Sequence, residues 1–263
     1  LFRSWHDHMT SGHTNHFFGT PTSGVLAGIS DHVLLCDPND VAGITRIFND
    51  HKDIAAVILE PTGANFGKMP ILPSFLHLLR DLTRQAGALL IFDEVVTGFR
   101  VSRGGAQAAF GVTPDITTLA KIVAGGLPGG AVAARKDILD WLDFQVTKAQ
   151  GKERVYHPGT FNANPVTAAA AVATLELIES TDACDRANAT AAETRRRMND
   201  VLVDERVKWS VFGSFSGMHI YTNPTGAEID PHGFQAEAFI PQMIDKPRGE
   251  GVTGQIRMGM LVN

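Results

Sequence analysis

Ala88-Leu89-Leu90-Ile91-Phe92-Asp93-Glu94 is the stretch that decides the fold. Five apolar residues closed by two carboxylates read as a strand buried on both faces that ends at a polar edge. Just ahead of it, Phe75, Leu78, Leu79 and Leu82 recur at helical spacing. Pro73 suits the first turn of that helix and Gly87 its stop. Further back, Ile54-Ala55-Ala56-Val57-Ile58-Leu59 is a second strand of the same buried kind, ended by Glu60-Pro61. Downstream, Ile116 to Leu119 is a weaker third strand, and Ala131-Val132-Ala133-Ala134 a fourth, with a helix expected from about Lys136 to Phe144. Strands alternating with helices predict an α/β fold, a mainly parallel sheet flanked by helices. In such sheets chemistry gathers beyond the carboxyl ends of the strands. Asp93 and Lys121 both fall there.

The flanks are less regular. The first thirty residues, rich in His, Gly, Thr and Ser, read as loop. Asn164-Pro165 starts an alanine-rich helix running to about Glu179, and a longer helix covers roughly Ala183 to Glu205. After Trp209 short strands follow, such as Met218-His219-Ile220-Tyr221. The pattern predicts a large domain over 1–182 and a smaller α+β domain over 183–263. The chain starts at Leu1 and stops just after the apolar-rich run 256–262, so it is expected to be incomplete at both ends.

Composition narrows the function classes. The chain has 263 residues, 44% of them hydrophobic, enough for a sizeable core. With a formal net charge of −5 there is no basic stripe for nucleic acid. Arg195-Arg196-Arg197 reads as the wet face of a helix. Cys36 and Cys184 lie far apart and form no disulfide framework, which fits a reducing compartment. No run of about 18 apolar residues and no signal peptide are visible, so a cytoplasmic protein without a membrane span is expected. His6, Asp7, His8, His13 and His16 match no familiar metal-ligand spacing, and no metal is expected. Glycine motifs for dinucleotides or nucleoside triphosphates are absent.

Three places carry candidate chemistry. Asp93, desolvated at the end of an apolar strand, needs a cationic partner or several donors to stay ionised. A protonated pyridine ring is one such partner; capping a loop or pairing with Arg100 is the structural alternative. Lys121 sits among apolar residues just before Gly125-Gly126. Partial burial there would free its amine to attack a carbonyl; a surface lysine lying along apolar neighbours is the alternative. Gly159-Thr160 and Asn162-Ala163-Asn164 precede a helix, where free N–H groups and a hydroxyl suit a phosphate, or where Asn164 simply caps.

Read in order, Ile58-Leu59-Glu60-Pro61, Phe92-Asp93-Glu94-Val95-Val96-Thr97-Gly98-Phe99-Arg100, Pro114-Asp115-Ile116, Leu119-Ala120-Lys121 through Gly129-Gly130, and Gly159-Thr160-Phe161-Asn162-Ala163-Asn164-Pro165 form a series. That series resembles the class III pyridoxal-phosphate-dependent aminotransferases, within them the glutamate-1-semialdehyde aminomutase-like group. The resemblance covers nearly the whole chain, best from about 54 to 180. It implies fold type I, the aspartate aminotransferase-like fold, and pyridoxal 5'-phosphate as cofactor. Lys121 would form the Schiff base and then act as acid and base, and Asp93 would bind the ring nitrogen. Val95 would pack on one ring face, Glu60 and Asn65 would lie in the cofactor's surroundings, and Phe2 would stack on the ring. Thr160 would bind the phosphate held by the neighbouring subunit of a homodimer. The implied reaction moves an amino group from an amino donor to a keto or aldehyde acceptor. An intramolecular aminomutase and a truncated non-catalytic relative are the alternatives. The family pattern departs at Phe2-Arg3-Ser4-Trp5 and at Ala163, and its Gly-Ser/Thr phosphate turn is missing.

Overall fold

The computed structural model describes Gly28, residues 30–240 and Met243. Phe2, Arg3, the histidines at 6, 8, 13 and 16, and the run 256–262 lie outside the described residues.

Helix α1 (Val41–Asp50) opens with Asp40, whose Oδ1 accepts from the Gly43 amide at 2.9 Å. Strand β1 (Ala56–Leu59) follows, then a single turn α2 (Ala64–Gly67) and a two-residue strand β2 (Met69–Pro70). Helix α3 spans Pro73–Ala86, with Pro73 in its first turn and Gly87 left-handed at its end (φ 71°), as the sequence predicts. Strand β3 (Leu89–Asp93), helix α4 (Gly105–Phe110), strand β4 (Ile116–Ala120) and strand β5 (Gly130–Ala134) complete the α/β layer. The sheet order is β1-β3-β4-β5. β1 and β4 run parallel to β3, whereas β5 runs antiparallel to β4.

The core lies on one face of this sheet. Leu90 and Phe92 of β3 are fully buried against Phe75, Leu76 and Leu79 of α3 and Ile44 and Phe48 of α1. Each such side chain contributes roughly 2 kcal/mol of hydrophobic stabilisation. The expectation of strands buried on both faces is corrected here. In β3, Leu90 and Phe92 are buried but Leu89 and Ile91 only partly so. β1 is half exposed, with Ile58 at 39%. Among the described residues β1 also has a neighbour on one side only.

The helix expected over Lys136–Phe144 is also corrected. The chain forms α5 (Lys136–Leu139), a 3-10 turn over Asp140–Leu142, then α6 (Phe144–Ala149). Asp143 breaks it, because its Oδ1 accepts from the Gln145 and Val146 amides (2.7 and 3.1 Å) and so starts a new helix. Helix α7 (Pro165–Ser180) starts at Asn164 as predicted, and α8 covers Ala183–Asp204.

A two-stranded antiparallel sheet, β6 (Ser210–Phe212) with β7 (His219–Tyr221), follows α8. Phe212, Tyr221, Phe234 and Phe239 pack around it. Arg195 does not lie on a wet face as its neighbours do. Its guanidinium donates to the carbonyls of Phe215 and Gly217 in the β6–β7 turn, while Arg196 and Arg197 pair with Glu193. No helix among the described residues is long and apolar enough to cross a membrane.

Candidate active site

Asp93 ends β3 and stands opposite Thr118 of β4. Lys121 begins the turn Lys121–Ala124 immediately after β4. Neighbouring strands lie about 4.8 Å apart, so the two residues share one stretch of the sheet's carboxyl edge.

Asp93 is half-buried. Its Oδ1 accepts from the Val95 amide at 3.0 Å and from Thr118 Oγ1 at 3.4 Å. Its Oδ2 has no hydrogen-bond donor among the described residues. The alternative partner, Arg100, is engaged elsewhere: its Nε donates to the Val96 carbonyl and its guanidinium lies 5.9 Å from the centre of the Phe66 ring. A carboxylate anchored through one oxygen at a strand end is suited to a cationic ligand.

Lys121 is exposed, which corrects the expected partial burial. It stands beyond the last strand residue, past the packed layer. Its backbone is left-handed (φ 54°). Non-glycine residues hold that conformation where their surroundings impose it. Here the surroundings are the β4–β5 ladder, which ends at Ala120 opposite Gly130, and helix α7. A Cβ on Gly125 would meet the Ala170 carbonyl oxygen at 2.4 Å, and Thr167 Oγ1 donates to the Pro128 carbonyl at 3.1 Å. The glycines after Lys121 therefore let α7 close on the turn that presents the amine.

Glu60 joins the pair from the end of β1. Burial pushes its carboxyl above the usual carboxylate range; the amides of Phe66 and Asn65 oppose this, Asp93 adds to it, and Lys121 opposes it. Glu60 follows Leu59, which pairs with Phe92, so it stands next to Asp93 at the same sheet edge. Asn65, expected beside the cofactor, offers its amide to Glu60 Oε1 at 3.1 Å.

Sequence reasoning missed Glu94. It is 1% exposed and accepts from Thr97 Oγ1 (3.1 Å) and from the Ala106 and Gln107 amides (2.6 and 3.3 Å). It ties the loop carrying Val95 to α4. The signal was present as a second acid after Asp93 with Gly104-Gly105 downstream.

Thr160 stands apart. It is exposed, in the segment before α7, and no hydrogen bond joins it to Asp93, Glu60 or Lys121 among the described residues. The amides of Val166 and Thr167 are taken by Asn164 Oδ1 at 3.0 and 3.1 Å. At this helix start the capping alternative holds within the chain. Phe2 lies outside the described residues.

The model of the aminotransferase class-III family matches residues 38–253. The chain belongs to the class-III aminotransferase family. A glutamate-1-semialdehyde 2,1-aminomutase from Sulfurisphaera tokodaii is 40% identical over 214 residues, 79% of this chain and 49% of that protein. The crystal structure of an omega-transaminase from Sphaerobacter thermophilus is 35% identical, with a TM-score of 0.70 over 82% of this chain and 48% of that one. A transaminase structure with pyridoxal phosphate bound is 28% identical, with a TM-score of 0.75 over 86% of this chain and 53% of that one. The chain spans under half the length of the curated relatives it matches. The predicted fold class, a mainly parallel α/β sheet of the pyridoxal-phosphate transferase type, is borne out.

Proposed function

We propose that this class-III chain carries the cofactor-holding part of a pyridoxal-phosphate-dependent aminotransferase, which moves an amino group from an amino acid or amine to a keto acid or aldehyde. One observation supports this above the others: Asp93 at the end of β3 and Lys121 just past the end of the adjacent β4 share one sheet edge, with Glu60 at the end of β1 on the other side of Asp93. The donor set fits the cofactor. The half-buried Asp93 has an oxygen without a donor among the described residues, the amine of Lys121 is accessible, and Val95 is fixed beside Asp93 through its amide.

When bound, pyridoxal phosphate supplies an aldehyde that carries the amino group and a cationic ring that withdraws electrons. Asp93 would keep the proton on the ring nitrogen. Lys121 Nζ would hold the cofactor, then take the proton from the substrate's α-carbon and return it. Val95 would lie against a ring face, with Glu60 and Asn65 behind Asp93. Thr160, exposed before α7, suits a phosphate belonging to a second copy, so a homodimer forms part of this reading. A cytoplasmic location and a smaller domain beginning near residue 183 belong to it as well.

Borohydride reduction of the protein with pyridoxal phosphate should fix the added mass on the peptide carrying Lys121. Mass on any other peptide overturns the assignment.

A second reading, an intramolecular aminomutase, is favoured by the glutamate-1-semialdehyde 2,1-aminomutases that are 38–45% identical to this chain. Turnover of a single amino-aldehyde substrate with no added keto acid separates it from transfer between two molecules.

A further inference from the structure

The loop after β1 is gripped from two sides. From one side Glu60 Oε1 and Oε2 accept from the Asn65 and Phe66 amides, at 3.1 and 3.0 Å. From the other, His219 Nε2 lies 3.0 Å from the Phe66 carbonyl oxygen, across a sequence separation of 153 residues. A carbonyl can only accept, so Nε2 carries the proton and donates.

The peptide so held is unusual. Asn65 (φ 56°, ψ 49°) and Phe66 (φ 59°, ψ 48°) are both left-handed, a pairing that L residues keep only where neighbours fix it. The Phe66 ring is enclosed as well. A Cβ on Gly217 would meet its Cδ1 and Cε1 at 3.0 Å, and Arg100 covers it at 5.9 Å. At the loop's start, a Cβ on Gly63 would meet the Met69 carbonyl oxygen at 1.9 Å. The β6–β7 hairpin therefore meets this loop at the Phe66 carbonyl, through His219, and at the Phe66 ring, through Gly217.

We propose that His219 is a positioning residue. By holding the Phe66 carbonyl it fixes, from the β6–β7 hairpin, the two amides that hold the Glu60 carboxylate at the end of β1, next to Asp93 at the end of β3. The functional meaning rests on the cofactor reading of that edge; the mechanical link does not.

Hydrogen exchange on the complete protein without cofactor tests the link. His219→Phe keeps a ring beside Phe212, which His219 meets at 5.5 Å between centroids, but removes the N–H. His219→Gln restores a donor. In H219F the Asn65 and Phe66 amides should exchange about three- to tenfold faster, returning to the native rate in H219Q. The Val211 amide, bonded to Asn199 Oδ1 at 2.7 Å, reports whether the hairpin stays folded. Unchanged exchange at residues 65 and 66 in H219F with an intact hairpin overturns the proposal. If H219F loosens the hairpin at Val211, H219Q decides alone: protection at 65 and 66 retained supports the link, and protection lost overturns it.

A second readout follows the pH midpoint of visible absorbance in the protein loaded with pyridoxal phosphate. It should shift in H219F and not in H219Q, and an unshifted H219F overturns the effect on the site. If the native protein takes up no pyridoxal phosphate, the cofactor reading fails while the exchange comparison still judges the link.

Discussion

The Asp115 carboxylate and the Arg80 guanidinium form a buried ion pair, 2.9 Å apart, at the amino ends of the strands. This is the sheet edge opposite to Asp93 and Lys121. Asp115 Oδ2 also accepts from the Leu90 amide at 2.8 Å, and Arg135 closes on Oδ1. Burial opposes the charge on Asp115, but the Leu90 amide and the two arginines outweigh it and hold the carboxyl below its ordinary range. A lowered folded pKa means stability that is present above the unfolded value of about 3.9 and lost as pH falls through the folded one. Asp115→Asn leaves Arg80 buried without its charge partner and should cost about 3–5 kcal/mol at neutral pH. Urea unfolding midpoints at pH 7 and in acid measure it: the deficit should shrink in acid, and a constant deficit contradicts this account.

Glu60 titrates in the other sense. Its carboxyl is raised by burial against the pull of the Phe66 and Asn65 amides, so the folded state holds the proton more tightly than the unfolded one. That contribution to stability is complete below the unfolded value of about 4.3 and is lost as pH rises through the folded pKa. Measured against Glu60→Gln, the native protein should therefore lose relative stability as pH climbs above about 4.3. Thermal melts of both proteins across that window provide the comparison, and a relative gain with rising pH would contradict the raised carboxyl.

Gly105 and Gly111 bracket α4, both left-handed (φ 69° and 67°). At Gly105 a Cβ would meet Glu94 Oε2 at 2.4 Å, whereas at Gly111 it would meet nothing within 4 Å. Gly111→Ala should cost only the backbone strain, about 1–2 kcal/mol. Gly105→Ala should cost clearly more, since Glu94 is buried and its oxygens are committed to Thr97, Ala106 and Gln107. Equal denaturation midpoints for the two variants would show that the Glu94 anchor yields.

Removing the Asp93 charge tests the proposed chemistry. Each unit by which the ring nitrogen loses basicity is worth about 1.4 kcal/mol, or tenfold. Asp93→Ala should thus lower turnover in the complete enzyme by at least ~100-fold, with pyridoxal phosphate still attached at Lys121. Near-native turnover is the outcome that removes Asp93 from the mechanism.

Much of this was legible in sequence because local rules agreed. Pro73, the apolar spacing to Leu82, and Gly87 mark one helix from end to end, and the observed element matches. The placement of Asp93 and Lys121 at one sheet edge was legible because one closes an apolar strand and the other follows one. The rest depended on distance or on competition. An apolar run does not say which of its side chains the helices will cover, so the exposure of Ile58 is not legible in it. Asp143 looks like one more polar residue in a helix until its side chain captures two amides. The His219–Phe66 contact joins residues whose local sequences share no pattern, and the left-handed pair at 65 and 66 falls on residues with no glycine's freedom.

The reversed course of β5 has a mechanical consequence. The chain leaves β4 at Lys121 on one rim of the sheet and returns along β5 to deliver Arg135 to the acid at the far rim. One continuous strap thus links the Lys121 amine to the charge cluster that secures the opposite end. Damage to that distant anchor would slacken the strap and be felt as a misaimed lysine, even where the overall architecture survives.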